Sequence, residues 1–188
     1  MTIREGSVHG RFQPFHMDHL EYALAAKAKC DFLWIGITKY DITPEDANPL
    51  ARERERPENN PLTYFERISI IRNALVEAGV REDLFRFVPF PIEAPIRLHA
   101  FMPTVIPCFT TIREDWNREK IKVLEAQGYT VDVLWERLGG KRISGKAIRD
   151  DILSGGARWK DMVPPATARA VEELNLKTRL GALCNPTR

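Results

Sequence analysis

Apolar positions along the chain alternate between two rhythms. Short, nearly continuous apolar runs are each followed by a longer stretch in which apolar residues return every three or four positions. The first run surrounds Val8, enters a Gly-Arg-Phe-Gln-Pro turn and leads into residues 16–29, where Leu20, Leu24 and Ala28 recur at helical spacing. Residues 31–38 (DFLWIGIT) are apolar almost throughout, as a strand buried on both faces of a parallel sheet requires. The order strand, helix, strand is a βαβ unit.

The pattern then lapses. Residues 39–61 are polar, charge-dense and punctuated by proline, which predicts a long loop. Within it, the RERER run from Arg52 to Arg56 reads as a solvated face or as a lid that brings arginine onto a phosphate chain. Helical spacing resumes over residues 63–79, through Phe65, Ile68, Ile71 or Arg72, and Leu75, with Gly79 as the stop. A short strand follows at 85–89, and residues 102–111 are again apolar and β-branched. An amphipathic helix over 116–128 and a strand over 130–135 continue the alternation. After Gly139-Gly140, Ser144 reads as a helix N-cap, and the Val163-Pro164-Pro165 break introduces a last helix over 166–174. The expectation is an α/β fold: one domain over residues 1–188, a Rossmann-like parallel sheet with helices on both faces and a helical C-terminal extension over 144–188.

Composition narrows the function classes. The chain has 188 residues, with 28 Lys and Arg against 26 Asp and Glu and a formal charge of +2, so no global field points to nucleic acid or an anionic membrane. Anion recognition has to be local. Three cysteines, Cys30, Cys108 and Cys184, are odd in number and widely spaced, which suits a reducing cytoplasm. No apolar stretch reaches the roughly 18 uncharged residues of a membrane span.

Candidate chemistry concentrates at two places. In residues 10–19 (GRFQPFHMDH), His16 and His19 stand three apart at a helix start, where imidazoles share a face and backbone N–H groups attract anions. Gly10, Arg11 and Phe12 form the turn before them, and the arginine fork suits phosphate. The bland readings are a surface or core histidine pair, or half of a metal site lacking its further ligands. Three of the four histidines, His9, His16 and His19, nevertheless cluster at the end of the first strand, where parallel sheets bind ligands.

The second place is ISGKAIR, residues 143–149, where Ser144, Gly145, Lys146 and Arg149 offer amides and cations at another helix start. Its bland reading is an ordinary capped helix with solvated cations. Residues 140–146 also match GxxxxGK, but Ala147 replaces the Ser or Thr that would hold magnesium, and the match falls late in the fold. No GxGxxG follows the first strand and no GxSxG elbow is present.

Taken together, GRFQPFHxxH and ISGxxIR resemble the HxGH nucleotidyltransferase superfamily, and within it the archaeal-type nicotinamide mononucleotide adenylyltransferases. The likeness includes Asn60-Pro61-Leu62-Thr63 with Glu66-Arg67, and the FVPFP segment at 87–91, and it covers residues 6–174. It implies an NTP bound with Mg²⁺ and direct attack of an acceptor phosphate on the α-phosphorus, with pyrophosphate leaving. His16 and His19 match the two phosphate-binding histidines, and Arg11, Ser144 and Arg149 match further phosphate contacts. Small-molecule substrates, a cytoplasmic location and assembly into a homo-oligomer are the accompanying expectations.

Three departures from that pattern bear on the acceptor. Asp18 stands where the superfamily has the glycine of HxGH, FTTIREDW at 109–116 replaces its TGN segment, and residues 93–101 carry Arg97 and His99 where a tryptophan commonly stacks nicotinamide. Cations in place of a stacking platform suit a small, highly charged acceptor. Similar diverged relatives in phosphonate pathways are cytidylyltransferases, with phosphonoformate as an acceptor. The alternatives are nicotinamide mononucleotide adenylyl transfer from ATP and a non-catalytic nucleotide sensor.

Overall fold

The protein is described from a computed structural model, which covers residues 2–41, 56–113, 115–137, 139 and 143–185, with the side chains at 115 and 116 set aside. Most of the loop expected at 39–61, with Arg52 and Arg54 of the RERER run, lies outside the described residues, as do Gly140 and Arg142. The chain forms two compact units. One holds residues Met1–Arg11, Asp18–Tyr40 and Gly79–Arg142, the other Phe12–Met17, Asp41–Ala78 and Ile143–Arg188.

The first unit is built on a sheet of five parallel strands in the order β3-β2-β1-β4-β5. The strands are β1 (Ile3–Gly10), β2 (Cys30–Ile37), β3 (Phe85–Pro89), β4 (Cys108–Ile112) and β5 (Val131–Glu136). Helix α1 (Met17–Lys27) connects β1 to β2, and α3 (Asp115–Ala126) connects β4 to β5. This is a Rossmann-like order, in which chain direction across the sheet reverses between β1 and β4. Leu33, Ile35 and Ile37 of β2 are wholly buried, which explains the unbroken apolar run. A second apolar cluster joins Phe90, Leu98, Met102, Ile106, Cys108, Leu124 and Tyr129.

His9 and Gly36 are register partners on β1 and β2, and Phe90 covers both. Its ring stacks on the imidazole at 4.4 Å and lies where a Cβ at Gly36 would meet it at 2.7 Å, so only glycine admits this packing. His9 is 3% exposed and neither ring nitrogen has a hydrogen-bond partner among the described residues. Burial, and secondarily the nearby Lys120 cation, hold its pKa well below the usual value, so the ring is neutral.

The second unit contains α2 (Tyr64–Glu77), α4 (Gly145–Ser154), α5 (Pro165–Glu173) and α6 (Leu176–Cys184). A capping box starts α2: Glu66 N–H donates to Thr63 Oγ1 at 3.2 Å and Thr63 N–H donates to Glu66 Oε2 at 2.8 Å. The same carboxylate accepts a fork from Arg179 of α6, at 2.7 and 2.9 Å, while Arg179 also donates to the Pro61 carbonyl at 3.0 Å. The Arg179 hydrogen bond is the largest cause holding Glu66 below the ordinary carboxylate range. One glutamate therefore caps a helix and docks another.

The helices read over residues 16–29 and 63–79 form as α1 and α2, and packing selects which stripe is buried: in α1 it is Tyr22, Ala23 and Ala26. In α2 the buried face runs through Arg67, Ile70, Ile71, Ala74 and Leu75, and Phe65 is 75% exposed. The apolar segment at 102–111 becomes strand only from Cys108, since Pro103 and Pro107 have no N–H to give a ladder. A further helix, α6, follows the one expected to be last. Asn175 separates it from α5 in a left-handed turn, φ 45°, which asparagine tolerates better than most residues.

The buried neutral imidazole makes stability depend on pH with a definite sign. Below the unfolded value of about 6.5 the unfolded chain binds a proton at His9 that the folded chain refuses, so stability falls as pH falls. Urea unfolding at pH 7.5 and 5.5 is expected to show a loss of about 1.4 kcal/mol from this residue. His9→Phe, which keeps the stack on Phe90, should lose less by that amount; an unchanged pH dependence would place its origin elsewhere.

Candidate active site

Ladder pairing between β1 and β4 is brief. Ser7 pairs with Cys108, and Ser7 N–H donates to the Pro107 carbonyl at 2.9 Å. The next rung of a parallel ladder would join His9 N–H to the Phe109 carbonyl. Instead the Tyr22 hydroxyl of α1 stands between them, accepting from His9 N–H at a long 3.4 Å and donating to Phe109 O at 2.5 Å. Among the described residues the two strands carry no further pairing, and it is at the carboxyl ends of such a strand pair that open parallel sheets bind ligands.

Sequence-predicted residues occupy that edge of the first unit. Gly10 ends β1 and accepts from Thr38 N–H at 3.0 Å, with Arg11 directly after it. His19 lies in the first turn of α1, beside Asp18. The Asp18 carboxylate meets Arg113, the residue just past β4, at 3.2 Å. Sequence reasoning missed both Tyr22 and Arg113, because neither stands in a phosphate-binding motif.

The other predicted residues belong to the second unit. His16 is buried and directly precedes α1, which starts at Met17 and carries His19 in its first turn. Phe12 adopts φ 54°, a left-handed conformation costly for a bulky side chain, and packs against Phe15 with ring centres 5.6 Å apart. Gln13 acts as a surrogate backbone, donating to the Leu62 carbonyl at 2.8 Å and accepting from Leu62 N–H at 3.0 Å. This ties the opening motif to the Asn60–Thr63 segment.

The second motif docks on the same loop. Ser144 caps α4 by accepting from Ala147 N–H at 3.1 Å. Gly145 lies so close to the loop that an added Cβ would stand 2.6 Å from the Gln13 carbonyl. Arg149, 6% exposed, donates from Nη1 to that carbonyl and from Nη2 to Asn59 Oδ1, each at 2.6 Å. Motifs 136 positions apart thus form one body within this unit. Lys146, by contrast, is exposed and pairs with Asp150 at 2.7 Å.

Arg97 and His99 are exposed on a 3₁₀ turn over Pro95–Ala100, anchored between them by the buried Leu98. The His99 ring stacks on Tyr129 with centres 5.9 Å apart, and Tyr129 precedes β5. The turn is followed by Phe101, whose ring lies 5.8 Å from that of Tyr40, a residue past the carboxyl end of β2.

Comparison with known proteins fits this architecture. No family model matches the chain. Over 180 residues it is 41% identical to the phosphonoformate cytidylyltransferase of Streptomyces viridochromogenes, covering 94% of this chain and 95% of that protein. The chain belongs to this nucleotidyltransferase family. It is also 29% identical over 177 residues to a nicotinamide-nucleotide adenylyltransferase of Picrophilus torridus, covering 91% of this chain and 92% of that one. Among solved structures, a bifunctional NMN adenylyltransferase/ADP ribose pyrophosphatase from Francisella tularensis, complexed with AMP and a manganese ion, superposes with a TM-score of 0.69 at 14% identity. The alignment covers 98% of this chain and 53% of that one, so the chain spans about half its length. The shared fold is the Rossmann-like nucleotidyltransferase fold, and the protein is a nucleotidyltransferase.

The Tyr22 hydroxyl is testable as a ladder element. Tyr22→Phe leaves His9 N–H and the Phe109 carbonyl without their shared partner, and a stability loss of about 1–3 kcal/mol is expected in urea unfolding. Wild-type stability in the variant would mean that β1 and β4 close on each other directly.

Proposed function

We propose that the protein transfers a cytidylyl group from CTP to a small phosphonate or phosphate, of which phosphonoformate is the leading candidate, and releases pyrophosphate. The observation that carries this reading is identity of 41% along nearly the whole chain with a phosphonoformate cytidylyltransferase, against 29% with a nicotinamide-nucleotide adenylyltransferase of similar length. Arg97 and His99, exposed on the turn over Pro95–Ala100, are the proposed acceptor contacts.

In this reaction an anionic oxygen of the acceptor attacks the α-phosphorus in line. A new phosphorus–oxygen bond forms there, the bond to the β-phosphate oxygen breaks, and the electron pair leaves with pyrophosphate. The acceptor is already an anion, so no residue needs to remove a proton from it. Catalysis consists of placing the two phosphorus centres and stabilising charge on the leaving group.

Arg11, His16, His19 and Arg149 are the proposed catalytic groups, with Gly10, Phe12, Ser144, Gly145 and Lys146 completing the nucleotide contacts. His19 donates to a phosphate oxygen on which charge grows. The amides at the start of α4, held by the Ser144 cap, suit the same kind of anion. Arg149 in this reading keeps the loop bearing His16 in place through the Gln13 carbonyl.

A magnesium ion arriving with the triphosphate would neutralise and orient its oxygens. Among the described residues no group of three or more His, Cys, Asp or Glu side chains is placed to hold a metal. The three cysteines are free thiols, which suits work in the cytoplasm.

A panel crossing the four NTPs with phosphonoformate, other small phosphonates and nicotinamide mononucleotide, read by pyrophosphate release, tests the assignment. CTP with phosphonoformate is expected to give the highest kcat/KM. Faster turnover of ATP with nicotinamide mononucleotide would replace this reading with adenylyl transfer. Within the active pair, His19→Ala is expected to lower kcat by about a hundredfold or more while KM for the NTP changes severalfold. Equal effects on both constants would reduce His19 to a binding contact.

A further inference from the structure

Asp18 poses an electrostatic problem that the nucleotidyl-transfer reading makes specific. Its carboxylate sits in the first turn of α1, next to His19 and on the edge of the sheet that ends in Gly10 and Arg11. A triphosphate arriving there would meet a negative charge with little water to screen it, since the Asp18 side chain is only 10% exposed. Arg113 answers that charge. Its side chain is 12% exposed, its Nη1 lies 3.2 Å from Asp18 Oδ2, and its Nη2 lies 3.9 Å from Glu21 Oε2.

The arginine is itself held at both ends. Its backbone N–H donates to Asn117 Oδ1 of α3 at 3.1 Å, immediately after β4 closes. Glu21, one turn along α1 from Asp18, pairs in addition with Arg137 at 3.0 Å, and that guanidinium lies 5.0 Å over the Trp135 ring. Two carboxylates on α1 therefore face two guanidiniums, one past the end of β4 and one past the end of β5. This ring of contacts fixes the helix turn against both strands.

We propose that Arg113 is a positioning residue for nucleotide binding and acts through Asp18. It cancels the carboxylate beside the phosphate site and fixes the turn that presents His19, without touching the nucleotide itself. The inference rests on the nucleotidyl-transfer reading, and wild-type turnover in the same assay checks that reading independently.

The test is a double-mutant cycle on the full chain, with KM for the NTP and kcat measured separately. Arg113→Ala removes the guanidinium 3.2 Å from the Asp18 carboxylate and is expected to raise KM for the NTP about tenfold, with a smaller effect on kcat. Adding Asp18→Asn removes the offending charge and should return KM to within about threefold of wild type. Asp18→Asn alone should leave KM for the NTP no higher than about twofold above wild type, because the remaining change at the site is in the favourable sign. Arg113→Lys keeps the charge and should retain most of the affinity; it serves as the working variant if Arg113→Ala does not fold, and it is then compared with Arg113→Gln. Two results overturn the proposal: a double variant whose KM stays as high as that of Arg113→Ala, which would mean that the guanidinium contacts the nucleotide directly, or an Arg113 variant that folds with unchanged KM.

Discussion

The Tyr22 hydroxyl occupies the step at which β1 and β4 cease to be a ladder, and the arrangement of the first unit follows from that interruption. Parallel strands on either side of a topological switch lead to connections on opposite sides, so the gap between them is where a ligand can enter. Left unfilled, the gap would bury an amide and a carbonyl without partners, which the interior does not tolerate cheaply. A single hydroxyl that accepts from one and donates to the other satisfies both. Because Tyr22 belongs to α1, the same bond fixes the helix whose first turn carries Asp18 and His19.

The second unit depends on guanidinium groups instead. Arg179 binds Glu66 and the Pro61 carbonyl, Arg67 is 1% exposed with Nε donating to the Thr63 carbonyl at 3.3 Å, and Arg149 spans Gln13 and Asn59. Each fork reaches backbone or side-chain oxygens that one apolar side chain could not satisfy. A chain with almost balanced formal charge can therefore still concentrate cations around one set of loops. The near-neutral total says nothing about where the arginines are placed.

Departures from the family pattern are informative in a way that conforming residues are not. Asp18 in place of a glycine, and FTTIREDW in place of another segment, are separate oddities along the chain. In the fold they are the two ends of one ion pair, since Arg113 is the arginine of that segment. His99, in another departing stretch, stacks on Tyr129. Sequence position marks both residues as unusual, and only the fold shows what each one touches.

The sequence by itself determined the alternation of strands and helices, the capped start of α4, and the two phosphate-type motifs, because each is a local matter of periodicity, capping chemistry or turn residues within a few positions. Tertiary structure decided the strand order, which helical stripe is buried, the splitting of the C-terminal segment at Asn175, and the partners of Tyr22, Asp18 and Arg149. Those outcomes join residues as far as 136 positions apart. Spacing along a chain carries no record of such encounters, since they are selected by which packing leaves the fewest buried polar groups and charges unanswered.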